Sequence, residues 1–186
     1  MRYNARCQYN FSLGVTMTIG FVSETDIEKR ADEVLATHEA NELPIDVVLI
    51  ARQEFIKVRA ARFESAEVSG MLRWLEGSPE IIANRDHPYA RQRYTVAHEL
   101  GHFFLHCKGE EHRDYVDHKI DFYRHGAANE ANWRAEVQAN KFAACLLMPS
   151  RLVKEARDVT TSPLQLAEMF GVSETAMNFR LAGLGL

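Results

Sequence analysis

His98-Glu99-Leu100-Gly101-His102 sets two imidazoles four residues apart, with a carboxylate directly after the first. On an α-helix, at about 100° per residue, the two histidines differ by about 400°, so they stack one turn apart on one face and can share a metal ion. Glu99 sits about 100° round from His98, outside ligand reach but able to touch a water on that ion. Two neutral imidazoles would hold the metal and the carboxylate would take a proton from the water. Chance places such a pattern in a chain with 8 His only about 0.03 times. The plainer alternative is a pair of core histidines. It would leave two polar rings among Val96, Ala97, Leu100, Phe103, Phe104 and Leu105, where burial is costly without partners.

A catalytic zinc takes a third protein ligand and keeps one position open. Glu136 lies at the end of an apolar stripe continued by Ala139, Ala143 and Leu146, and Glu130 and Asp121 compete with it on spacing alone. Small residues at Gly101, Ala139 and Ala143 would let two helices approach closely. His106 follows His98 by eight residues and overshoots the ligand face by about 80°, which suits an outer-shell or entrance position better than a ligand. Cys107 beside it reads as a buried thiol or an adventitious ligand. A developing oxyanion needs a donor besides the metal, and Tyr115, His118, Tyr123 and His125 in the polar stretch Lys108 to Glu130 are candidates. The ligand set also admits Fe2+ or Mn2+, although an oxygenase has no use for a glutamate in the position of Glu99.

The elements that must position these residues are readable in outline. An acidic, hydroxyl-bearing start at Ser23 to Glu28 opens an amphipathic helix to about His38, and a short helix follows Pro44 at Val47 to Ile50. Phe55 to Arg59, Val68 to Leu75 and Glu80 to Asn84 read as strands, and their short connections predict an antiparallel meander. A long helix from about Tyr89 to His106 carries the histidines, and a second, about Ala131 to Met148, carries Glu136 and stops at Pro149. The tail, 151–186, reads as two or three short helices. Within it, Leu164 to Phe170, Gly171 and Ser173 to Met177 are spaced like a helix-turn-helix.

Composition bounds the rest. The chain has 186 residues, 22 Lys+Arg and 26 Asp+Glu, a net charge of -4, and 46% apolar residues. That excludes a disordered or collagen-like chain and disfavours nucleic-acid binding by bulk charge. The tail carries four cations and four anions, so direct DNA binding is disfavoured there too. Cys7, Cys107 and Cys145 fit neither a disulfide framework nor a metal knuckle, and reduced thiols point to a cytoplasmic protein. Ser12, Gly14, Thr16 and Thr18 interrupt the apolar start, so no segment reads as a signal h-region or membrane span. The reading is an N-terminal extension over 1–23, of which 1–16 precede a second Met, a main unit over 24–150 that carries the histidines and Glu136, and the helical tail packed on it.

The run Arg93-Tyr94-Thr95-Val96-Ala97-His98-Glu99-Leu100-Gly101-His102 with Leu105-His106, together with Glu136-x-x-Ala139-Asn140-x-Phe142-Ala143-Ala144-x-Leu146-Leu147-Met148-Pro149, resembles the ImmA/IrrE family of metallopeptidases. The likeness covers roughly residues 24 to 150. It implies an α+β, zincin-like minimal peptidase with a small antiparallel sheet, zinc held by His98, His102 and Glu136, and Glu99 as general base and acid. Asn140 joins His106 as an outer-shell or transition-state candidate. The resemblance further implies a substrate, an XRE-type helix-turn-helix repressor whose cleavage would derepress a stress, mobile-element or toxin–antitoxin-like operon. A non-cleaving module that binds such a repressor is the alternative, and the intact Glu99 speaks against it.

Overall fold

The computed structural model describes residues 22–107 and 130–186. Helix α1 (Glu24–Thr37) begins where Ser23 Oγ accepts the amide of Asp26 at 3.1 Å, and it turns Ile27, Ala31, Val34 and Leu35 inward at helical spacing. Helix α2 (Val47–Gln53) is capped by Asp46, whose Oδ1 accepts from Val48 and Leu49 at 3.0 and 2.9 Å, and it buries Val47, Ile50 and Ala51.

Strands β1 (Lys57–Ala61), β2 (Gly70–Leu75) and β3 (Ser78–Asn84) make one sheet in the order β1-β3-β2. β2 and β3 form the expected antiparallel hairpin. Its two-residue turn, Glu76 and Gly77, has φ of 51° and 78°, as a type I′ turn requires. β1 corrects the meander: it pairs with β3 in parallel, Lys57 opposite Glu80 and Ala61 opposite Asn84. The reason lies in β3, where Glu80 to Asn84 are buried throughout, so this strand takes the centre and leaves the edges to strands with charged side chains. Central placement also sets Glu80 between two arginines. Arg59 of β1 donates from Nε at 2.6 Å, and Arg73 of β2 donates from Nη2 at 2.7 Å.

Helix α3 (Tyr89–His102) lies against β2 and β3, closely enough that a Cβ at Gly70 would collide with Thr95. The continuous helix expected to His106 instead ends at His102 and widens into a π-turn, Phe103–Cys107. Helix α4 (Glu130–Leu147) crosses α3 and packs along α1. Three helices complete the described chain: α5 (Ser150–Arg157), α6 (Pro163–Phe170) and α7 (Glu174–Leu184). Leu152, Val153, Leu166, Phe170, Met177 and Leu181 of these join the same apolar core as Ile27, Ile50, Leu72, Ile81 and Phe142. Buried Arg93 ties α3 to the α6–α7 turn, donating to the Gly171 carbonyl at 3.1 Å and to Ile45 at 2.8 Å. Gly171 has φ +63°, and a Cβ there would press on Arg93 Nε at 3.0 Å. Among the described residues no helix is long and apolar enough to cross a membrane.

Burial pushes the Glu80 carboxyl up, but hydrogen bonds from Arg59 and Arg73 and their charge outweigh it and hold the group below the ordinary carboxylate range. Its stabilisation is therefore full above the unfolded value of about 4.3 and is lost as pH falls through the lower folded value. Glu80→Gln should cost about 2 kcal/mol at pH 7, less than a fully enclosed pair because both guanidiniums reach water. In urea unfolding, the gap between parent and variant should close as pH drops below about 4.

Candidate metal centre

The site is built where α3 and α4 cross in antiparallel. Gly101 meets Ala139 at the crossing: a Cβ on Gly101 would stand 3.0 Å from both the Cα and the carbonyl oxygen of Ala139. Those are backbone atoms and cannot swing aside. The absence of a side chain at 101 is what lets the two helices touch.

On this seam His98 and His102 are buried, 2% and 0% exposed, and Glu136 reaches them from α4. His98 Nε2 lies 3.2 Å from Glu136 Oε2, His102 Nε2 lies 3.0 Å from Glu136 Oε1, and the two Nε2 atoms are 3.0 Å apart. Ligands about 2.0–2.1 Å from a tetrahedral zinc are separated by about 3.3 Å, so this triangle has nearly the dimensions of one face of such a site. The donor chemistry agrees. Two imidazoles and a carboxylate converging on one point set lone pairs against each other unless protons or a cation lie between them. Among the described residues His98, His102 and Glu136 form a group whose ligand atoms all lie within 4.8 Å of one another. Burial raises the Glu136 carboxyl, but hydrogen bonds from His102 and His98 and their charge outweigh it, so the group stays ionised.

Glu99 is buried beside His98, at 1% exposure, and is not one of the trio. His106 is nearer the trio than an α-helix would place it. A π-turn takes more residues per revolution, so the overshoot shrinks and its ring centroid comes to 5.8 Å from that of His102. Burial, aided by His102, pushes His106 down to about 4 against backbone hydrogen bonds to Ala135 and Leu105, so its ring is neutral. Its Nε2 is buried and meets no hydrogen-bond partner among the described residues.

Asn140 lies one turn beyond Glu136 and accepts the Tyr94 hydroxyl at 2.6 Å. Tyr94 is a site residue that spacing does not single out; in the sequence it stands only within the run that carries the family resemblance. Its sequence signal is its position one turn before His98 on the same helical face. Its ring stands 6.2 Å from that of His98, and burial together with the Glu136 charge pushes its hydroxyl up to about 12. Tyr115, His118, Tyr123, His125 and the competing Asp121 lie outside the described residues, as does the side chain of Glu130. Cys107 is half-buried and Cys145 is buried, both as free thiols.

An α+β fold in which a helix bearing His-Glu-x-x-His crosses a second helix bearing an acidic residue is the arrangement of a metallopeptidase. The chain belongs to the peptidase family M78, the IrrE N-terminal-like domain, whose model matches residues 51–182. That match runs from α2 through the sheet and both crossing helices into α7. The chain is also similar to Metallopeptidase ImmA of Bacillus subtilis (strain 168), 22% identical over 161 residues that cover 86% of each chain.

Gly101→Ala should separate α3 from α4, because the new methyl group meets backbone atoms. Stability should fall by about 1–3 kcal/mol, and zinc affinity by more than that loss alone would cause, since Glu136 would leave the histidines. Calorimetric zinc titration beside urea unfolding measures both.

Proposed function

We propose that the protein is a zinc-dependent endopeptidase whose metal is held by His98, His102 and Glu136. The supporting observation is the triangle of donor atoms with edges of 3.0 to 3.2 Å and the buried Glu99 next to it. A zinc ion held there supplies a Lewis acid that polarises a peptide carbonyl and brings the pKa of water to about 7. Glu99 accepts the proton from the attacking water and returns it to the leaving amine, so that one carboxylate serves both halves of the hydrolysis. Its burial keeps competing water away from that transfer. His106, neutral at working pH, offers an acceptor at the edge of the site.

For the substrate we infer an XRE-type helix-turn-helix repressor, cleaved in the cytoplasm to relieve repression of a stress, mobile-element or toxin–antitoxin-like operon. Support comes from the ImmA/IrrE resemblance of the two sequence blocks. The tail adds support against a nucleic-acid target: from Leu164 on its one cation is Arg180, which is buried and bonded to Met148 and Glu28. We take residues 24–150 as the peptidase unit and 151–186 as its brace.

Glu99→Gln tests the mechanism. The variant should keep its zinc by elemental analysis and lose cleavage of a co-expressed XRE-type repressor by at least about 100-fold. Undiminished cleavage would sink the role given to Glu99. An intact repressor with the parent enzyme would remove the substrate.

A further inference from the structure

We propose that Tyr94 and Asn140 form a cross-helix clamp that fixes the axial register of Glu136 against His98 and His102, which makes both of them positioning residues of the metal centre. The inference rests on the ligand set given above. The facing side chains of α3 and α4 form two rungs, Tyr94 with Asn140, and His98 and His102 with Glu136, and beyond them His106 of the π-turn bonds the backbone of Ala135. Tyr94 stands one turn before His98, and Asn140 one turn after Glu136. The 2.6 Å bond from the Tyr94 hydroxyl to Asn140 Oδ1 therefore closes a loop that runs along α3, across at the metal donors, and back along α4.

Two coordinates have to be fixed for three ligands on two helices to meet. The Gly101–Ala139 contact fixes how far apart the helices stand. It does little against sliding along the axes, since a smooth contact of small residues offers few ridges to interlock. A hydrogen bond between a rigid aromatic side chain and a short amide, one turn from the ligands, resists that slide. Metal–ligand distances tolerate only about 0.2 Å, so a small slip suffices to spoil the site. The Tyr94 ring also lies 6.2 Å from the His98 ring at a tilt of 31°, so the clamp stands directly beside a ligand side chain.

The test is zinc titration of the full-length protein, of Tyr94→Phe, of Asn140→Ala and of the double variant, with thermal unfolding of each metal-free protein alongside. Each single variant should bind zinc about 10-fold more weakly, as removal of an outer-shell partner does elsewhere. The double variant should be no weaker than the weaker single, because both remove one bond. Metal-free melting temperatures should stay within about 4 °C of the parent, and the visible spectrum of the Co2+-loaded Tyr94→Phe protein should change. Zinc affinity within twofold of the parent in Tyr94→Phe, additive losses in the double variant, an unchanged Co2+ spectrum, or a larger fall in metal-free melting would each overturn the clamp. A His98→Ala control separates the two readings. Zinc lost there but kept in Tyr94→Phe overturns the clamp alone, whereas a parent that takes up no zinc, or His98→Ala that retains it, overturns the ligand set and the clamp with it.

Discussion

Side chains of ordinary size hold packed helices about 8–10 Å apart, and at that separation a glutamate on one has to stretch to meet two histidines on the other. Gly101 against Ala139 removes that spacing at the point of crossing. The remaining architecture keeps the crossing in place from every side. β2 and β3 back α3, α1 backs α4, and the Lys141–Glu24 pair at 2.5 Å links α4 to the first turn of α1. A trio of donor side chains drawn from two helices needs this support because neither helix alone carries all three.

Buried charge is managed by the same economy of partners. Glu80 is enclosed by Arg59 and Arg73, and Arg93 spends its guanidinium on the carbonyls of Ile45, Phe170 and Gly171. Arg180 donates to the Met148 carbonyl and pairs with Glu28 at 2.7 Å. All but the Arg73–Glu80 hairpin contact link segments far apart in sequence, and an ion pair cut in half inside a protein costs more than the intact pair contributes. These contacts tie strand to strand and helix to helix, so a wrong arrangement of either would leave a charge buried without its partner.

What could be read from the sequence follows the range of the forces involved. Ser23 and Ser173 cap helices through bonds to amides three residues on, so those helix starts were visible, while the caps at Asp46 and Ser162 emerged only with the structure. The His98–His102 pair was equally visible, since one turn of helix brings the rings together without help. Glu136 was one of three carboxylates on spacing alone, because which of them faces the histidines depends on how α4 crosses α3. The resemblance to known peptidases singled it out, and the structure brings its carboxylate to both rings. The strand order escaped the sequence because connection length says nothing about which strand is most buried. The π-turn escaped it because a single widened turn leaves no periodic trace, yet it is what returns His106 toward His102. Tyr94 was overlooked because its role depends on Asn140, 46 residues away.

The last two helices show what a pattern of caps and turns specifies and what it leaves to tertiary structure. α6, the Gly171 turn and the Ser173 cap have the lengths of a helix-turn-helix. In a DNA reader the second helix projects cations and hydrogen-bonding groups outward, to phosphates and base edges. Here the cation of α7 points inward, and the turn that would set the recognition helix has its carbonyls held by Arg93. The exposed positions of α7 are Glu174, Thr175, Asn178, Phe179, Ala182 and Gly183, with Phe179 76% exposed. Those positions offer a phosphate backbone no cation, so they supply none of the counterion release on which DNA affinity depends. The spacing of caps and turns specifies a pair of helices, but it is the direction in which their charges face that decides whether the pair reads DNA or braces a protein.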